Sequence, residues 1–126
     1  MTRFLLDTHV LLWLLTEPDQ LDARLRTSLA DPLVEVFVSA ASVWEIAIKR
    51  ALGRLTAPED ILEVCDQAGF TPLPIEPGHA WAAGELPAHH ADPLDRMLVA
   101  QAMFEGLTLV TRDVRLQRYA VTVALA

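Results

Sequence analysis

Thr2-Arg3-Phe4-Leu5-Leu6-Asp7-Thr8 is a short apolar run that stops at a carboxylate. Thr2 to Leu6 reads as a buried strand, because it is brief, apolar and ended by a polar residue. Thr8 to Leu15 then reads as a helix, halted by Thr16-Glu17-Pro18-Asp19. The same layout recurs. Val34 to Val38 is a second strand, followed by a helix over Ala40 to Leu52 with Gly53 as its terminator. Thr108 to Thr111 is a strand, followed by Asp113 and a helical turn over Val114 to Arg118. Strands alternating with helices predict an α/β fold with a mainly parallel central sheet flanked by helices.

The remaining elements fit that plan. Leu21 to Leu29 reads as a helix closed before Asp31-Pro32, and Pro58 to Ala68 as a helix that starts on proline and ends at Gly69. Phe70 to Ile75 is extended, and its Pro72 and Pro74 predict an edge strand. His79 to Leu86 and Pro93 to Phe104 read as helices, the latter closed by Gly106, and Val121 to Leu125 as a last strand. No repeat, low-complexity tract or linker interrupts the 126 residues, so one domain over 1–126 is expected.

Composition narrows the function. The chain is 52% hydrophobic with mean hydropathy +0.30, enough for a core and a surplus for an interface. No window has the uninterrupted apolar length of a membrane helix, and the N-terminal run lacks a signal-peptide layout, so a cytoplasmic protein with no membrane role is expected. Cys65 is the single cysteine, which excludes an internal disulfide and predicts a small buried hydrophobe. The net charge of −7 argues against gripping nucleic acid by bulk charge. Positive charge is local: Lys49, Arg50 and Arg54 in one segment, Arg112, Arg115 and Arg118 in another. Each cluster reads equally as an ordinary solvated face.

Four acids fall where apolar runs end and helices begin: Asp7, Glu45, Asp95 and Asp113. In an open parallel sheet, ligands bind outside the carboxyl ends of the strands. Carboxylates gathered there repel unless a cation holds them, so a hard-metal site is the leading reading. Each acid also has a local role. Asp7 caps the helix from Thr8, Ser42-Val43-Trp44-Glu45 matches a capping box, Asp92-Pro93-Leu94-Asp95 is a helix start, and Asp113 caps the turn after it. The two roles are compatible, because helix N-termini favour carboxylates and phosphates alike.

At these residues the chain resembles the PIN-domain nucleases, most closely the VapC-type toxins of bacterial toxin–antitoxin pairs. The matching segments are Leu5-Leu6-Asp7-Thr8-His9, Ser39 to Ile46 with Lys49 and Gly53, His90 to Ala102, and Leu109-Val110-Thr111-Arg112-Asp113, with Tyr119 and Val121 near the end. Asp92 to Ala102 is the most specific of them. The resemblance implies a parallel sheet between helices, RNA cleavage, and an Mg²⁺ or Mn²⁺ site. Carried over, Asp7, Glu45, Asp95 and Asp113 form that site, and Asp92 is an added acid, either in an outer layer or as the helix cap. Mg²⁺ takes only one or two protein carboxylates directly. Asp7 and Asp95 are the expected ligands, with Glu45 and Asp113 acting through water. Ser39, Ser42, Thr8 and Thr111 either orient the carboxylates or are strand-end and capping hydroxyls. The resemblance further implies a cognate antitoxin laid in an apolar groove, and a homodimer or a toxin–antitoxin hetero-oligomer.

Other residues carry weaker signals. His89-His90-Ala91-Asp92 suits a loop better than a Zn²⁺ site, since no second His/Cys group accompanies it. His9 is expected in packing or on the surface. Arg96 and Arg112 are candidates for the RNA backbone or for pairing with a nearby carboxylate. Trp13, Trp44 and Trp81 are expected in core or interface packing rather than stacked on bases. A phosphotransfer protein using Asp7 is the rival enzyme, but His9 stands where the haloacid-type pattern wants a second Asp. A catalytically silent partner-binding scaffold is the non-enzyme rival.

Overall fold

The computed structural model describes residues 2–126. Five strands form one sheet: β1 (Arg3–Leu6), β2 (Glu35–Ser39), β3 (Thr71–Leu73), β4 (Thr108–Thr111) and β5 (Val123–Leu125). The order is β3-β2-β1-β4-β5, and every pairing is parallel. Six helices flank it: α1 (Thr8–Thr16), α2 (Ala23–Ala30), α3 (Ala40–Ala51), α4 (Ile61–Gln67), α5 (Pro77–Glu85) and α6 (Pro93–Glu105). Short 3₁₀ turns follow α1 at Pro18–Gln20 and β4 at Val114–Arg118.

The apolar runs are near-continuous because both faces of the sheet are covered. Successive strand residues point to opposite faces. Phe4 and Leu6 enter a core with Val10, Leu11, Leu25, Leu29 and Ile46, supplied by α1, α2 and α3. Leu5 and Leu109 enter the other core, with Leu98, Val99 and Ala102 of α6. Helix α5 packs outside α6. Among the described residues no helix is long and apolar enough to cross a membrane.

The order of strands sets the site. The chain winds from β1 outward to β2 and β3, then returns to place β4 on the other side of β1. Strands β1 and β4 therefore flank the point where the winding reverses, the usual place for a ligand crevice. Asp7 directly follows β1, and its amide donates to Val110 O at 2.9 Å, which ties the two strand ends together.

Some boundaries differ from the expectation. Helix α2 starts at Ala23 rather than Leu21, because Asp22 accepts from the amides of Arg24 and Leu25 and caps it. Helix α4 starts at Ile61 rather than Pro58, with Asp60 at its N-cap and Ile61 packed on the first core. Strand β5 starts at Val123, while Val121 packs against the second core. The capping box expected at Ser42 to Glu45 is absent. Strand β2 runs straight into α3, so Ser39 is the cap and accepts from Ala41 N. A reciprocal cap stands instead at the start of α5, between Glu76 and His79. Pro72 lies on the edge strand β3, where its missing N–H is tolerated.

Candidate active site

Asp7 is the N-cap of α1 and is 7% exposed. Its Oδ1 accepts from the His9 amide at 2.8 Å, and its Oδ2 from the Thr111 hydroxyl at 2.7 Å. The same Thr111 oxygen accepts from the Asp113 amide at 3.0 Å. One hydroxyl at the end of β4 thus fixes two of the expected acids. Thr8 and Ser42 bond to each other, and Ser39 donates to Gln101 Oε1 at 2.5 Å, so these three brace helices rather than carboxylates.

Glu45 lies on α3 inside the fold, 6% exposed. Lys49, one turn on, donates to its Oε2 at 2.6 Å. Asp92 caps α6 by accepting from the amides of Leu94 and Asp95. Asp95 sits in the first turn of α6, and Asp113 caps the turn after β4 by accepting from Arg115 N. Asp7, Glu45, Asp92, Asp95 and Asp113 all line one cleft of about 420 Å³, so the acids of four separate chain segments converge there. Lys49, Arg115, His9 and Trp13 share its wall.

The electrostatics separate the acids. Burial pushes the Asp95 carboxyl up to about 7, reinforced by the fields of Asp92, Asp7 and Glu45 and opposed by His90. Asp113 goes the other way. The Arg115 side chain holds it well below the usual carboxylate range, with burial opposing and the Arg115 amide and His90 assisting. The Arg115 fork meets Asp113 at 2.9 and 2.7 Å. The hydrogen bond to Glu45 raises the Lys49 ammonium, with burial opposing and Asp92 and Asp95 adding to the rise. Lys49 and Arg115 offset Glu45 and Asp113, while Asp7, Asp92 and Asp95 have no Lys or Arg partner among the described residues. An all-oxygen donor set short of positive charge, with one carboxyl pushed up by burial and then by its acidic neighbours, fits a hard divalent cation.

His90 joins this group from the loop between α5 and α6. Its Nε2 lies 3.3 Å from Asp95 Oδ2 and 3.2 Å from Asp113 Oδ2. One ligand-type atom from each of the three lies within 4.8 Å of the others. The sequence offers one hint, the spacing His90-Ala91-Asp92, and it is visible only once the loop's path is known. His89 turns away and packs edge-on against Tyr119, ring centres 5.1 Å apart.

Among the described residues neither Arg96 nor Arg112 pairs with a carboxylate, and Arg112 lines the acidic cleft. Both donate to backbone carbonyls, Arg96 within the α5–α6 loop region and Arg112 to Ala126 O and Gln20 O. Arg112 also stacks over Trp13 at 4.2 Å. Trp44 and Trp81, expected in core or interface packing, are 60% and 76% exposed on α3 and α5 and so lie outside the core. Cys65 is buried as expected.

Comparison with known proteins agrees with this architecture. The model of the PIN domain family matches residues 4–121. Ribonuclease VapC22 of Mycobacterium tuberculosis is 32% identical over 122 residues, spanning 94% of this chain and 93% of that protein. Among solved structures, VapBC2 from Rickettsia felis bound to a promoter DNA fragment superposes with a TM-score of 0.74 at 14% identity, covering 98% of each chain. DNA-bound VapBC from Salmonella typhimurium gives 0.71 at 20% identity, covering 99% of this chain and 98% of that one. These two likenesses concern the fold. Together with the matched family model and the curated relative, they establish that the chain belongs to the PIN-domain family, as a VapC-type member.

Proposed function

We propose that this chain, as one nuclease domain over residues 1–126, is an Mg²⁺- or Mn²⁺-dependent endoribonuclease acting as the toxin of a toxin–antitoxin pair. The observation that carries the reading is the gathering of Asp7, Glu45, Asp92, Asp95 and Asp113 in one cleft at the reversal of the sheet. Kinship with a protein named a ribonuclease supports the reaction class.

Asp7 and Asp95 are the residues that would hold the cation, with Glu45 and Asp113 reaching it through water and Asp92 in an outer layer. When bound, the cation activates water and neutralises charge that builds on the phosphate. The chain's own groups do the rest. Thr111 and the His9 amide fix Asp7 in one orientation. Lys49 fixes Glu45, leaving its other oxygen to accept from an attacking water. Lys49 and Arg115 stand in the same wall and would meet the non-bridging phosphate oxygens. A new P–O bond forms to the water oxygen as the opposite P–O bond to the ribose oxygen breaks, with no covalent protein intermediate.

The phosphotransfer alternative asks Asp7 to act as a nucleophile, and His9 stands where the haloacid-type pattern wants a second Asp. The scaffold alternative leaves the cup of incompletely paired acids without a purpose.

Two apolar grooves support the partners we propose. One, bounded by Val38, Val43, Leu62 and Pro72, suits an antitoxin segment, and exposed Trp44 lies on the same α3 helix. The other, bounded by Leu86, Ala100, Met103 and Phe104, suits a second copy of the chain. We place the protein in the cytoplasm, where RNA and a co-expressed antitoxin meet it. Incubating labelled RNA with the purified chain, with Mg²⁺ or Mn²⁺ and with EDTA, tests the reading. Cleavage only with the cation is expected, and equal cleavage in EDTA would overturn it.

A further inference from the structure

The loop between α5 and α6, residues 86–92, carries both His90 and Asp92. It contains no strand or helix to hold it. The Arg96 side chain, from the second turn of α6, makes most of the contacts to the loop's backbone carbonyls. The Arg96 guanidinium donates to Ala83 O at 2.9 Å, Leu86 O at 3.0 Å, Pro87 O at 2.9 Å and His90 O at 3.4 Å. The planar fork of arginine matches such a set of carbonyls, and lysine's point charge does not. The far side of the loop is held by His89 against Tyr119.

The consequence falls on the His90 ring. Its Nδ1 accepts from the Asp92 amide at 3.1 Å, so in the neutral ring the proton is on Nε2. That Nε2–H points between Asp95 Oδ2 and Asp113 Oδ2, and the side chain is 7% exposed. With its proton on Nε2, His90 is a donor to the two acids and not a ligand for a cation. The His90–Asp92 contact that sets this tautomer lies inside the segment whose carbonyls Arg96 holds.

We infer that Arg96 is a positioning residue: it pins the 86–92 loop so that His90 offers an Nε2–H donor between Asp95 and Asp113. This rests on the nuclease reading above for its effect on catalysis, but the geometry it claims can be measured without any cleavage. The bland alternative is that Arg96 only satisfies the last carbonyls of α5. That role would change stability and leave the His90 ring as it is.

The test compares full-length wild type with Arg96→Lys, Arg96→Met and His90→Gln. Long-range ¹⁵N–¹H correlation spectra of the imidazoles read the tautomer, with His90→Gln identifying the signal. Wild type is expected to show a single Nε2–H form at His90, and both Arg96 variants a mixture of forms. RNA cleavage by Arg96→Lys is expected to lose roughly tenfold or more in kcat with KM changed less than about twofold, the size typical of groups that orient site residues. The double variant Arg96→Lys/His90→Gln is expected to be no worse than the poorer single one, because both act through one ring. A wild-type Nδ1–H tautomer overturns the proposal. So does an unchanged His90 signal in Arg96→Lys, or fully additive losses. If Arg96→Met does not fold, Arg96→Lys decides. If wild type cuts no RNA, the nuclease reading fails, and the imidazole spectra alone decide the positioning claim.

Discussion

Replacing Asp95 by Asn should stabilise the metal-free protein at alkaline pH, although it removes a residue from the proposed site. The folded chain raises the Asp95 carboxyl from its ordinary 3.8 to about 7. A carboxyl with a raised folded value holds its proton more tightly folded than unfolded. Its contribution to stability is complete below the unfolded value and is lost as pH rises through about 7. Full conversion of that difference gives about 4 kcal/mol. The side chain is 23% exposed in a cleft open to solvent. Screening there reduces the cost to roughly 2 kcal/mol. Asn has the same shape and no charge to lose. In EDTA the two proteins should melt together near about pH 4, and Asp95→Asn should melt roughly 6–10 °C higher near about pH 8.5. Asp113 does not confuse the comparison, because its lowered carboxyl is present in both proteins and acts at acid pH. Saturating Mg²⁺ should then raise the wild type and move Asp95→Asn far less. Scanning calorimetry across the pH range reads all of this. An Asp95→Asn variant less stable than wild type at alkaline pH in EDTA would refute the reasoning.

Three other outcomes follow from the same geometry. Thr111→Val leaves Asp7 Oδ2 without its buried donor and the Asp113 amide without its acceptor, which should cost about 1–3 kcal/mol in urea titration; a loss under about 0.5 kcal/mol would contradict the role given to Thr111. Lys49→Met removes the ammonium 2.6 Å from Glu45, so calorimetric titration should find Mg²⁺ bound tighter, by about tenfold, and RNA bound more weakly; weaker Mg²⁺ binding would count against Lys49 as the competing charge. An acidic chain meets RNA only locally, so the plot of log affinity against log salt should be shallower than about −3, equivalent to roughly four phosphates, and a steeper slope would mean a wider basic surface.

The fold was legible where one physical cause dominated. Phe4 to Leu6 and Leu109 to Val110 are apolar without alternation because both faces of those strands are covered, and that pattern is local. Pro72 announced an edge strand for the same kind of reason. Asp7 and Asp113 were placeable at one edge because they follow β1 and β4, neighbouring parallel strands, whereas Glu45 and Asp95 reach the same cleft from within α3 and the first turn of α6. Ser42 misled because its spacing to Glu45 imitates a capping box, while the true cap depends on β2 running into α3 with no loop between. His90 and Arg96 were not legible. Their roles depend on the path of an irregular loop, which no periodicity encodes. Trp44 and Trp81 stand outside the core, and sequence could not separate core from interface packing because an aromatic in a helix has the same pattern whether its face meets a core or solvent.

The central claim is that these acids hold a divalent cation and use it to cut RNA. Mn²⁺ binding and RNA cleavage measured on the same preparations of wild type, Asp7→Asn and Asp95→Asn test it most directly. Wild type should bind Mn²⁺ and cleave only when the cation is supplied, and both variants should lose binding and cleavage together. Cleavage by wild type in EDTA, or full activity in either variant, would contradict the account.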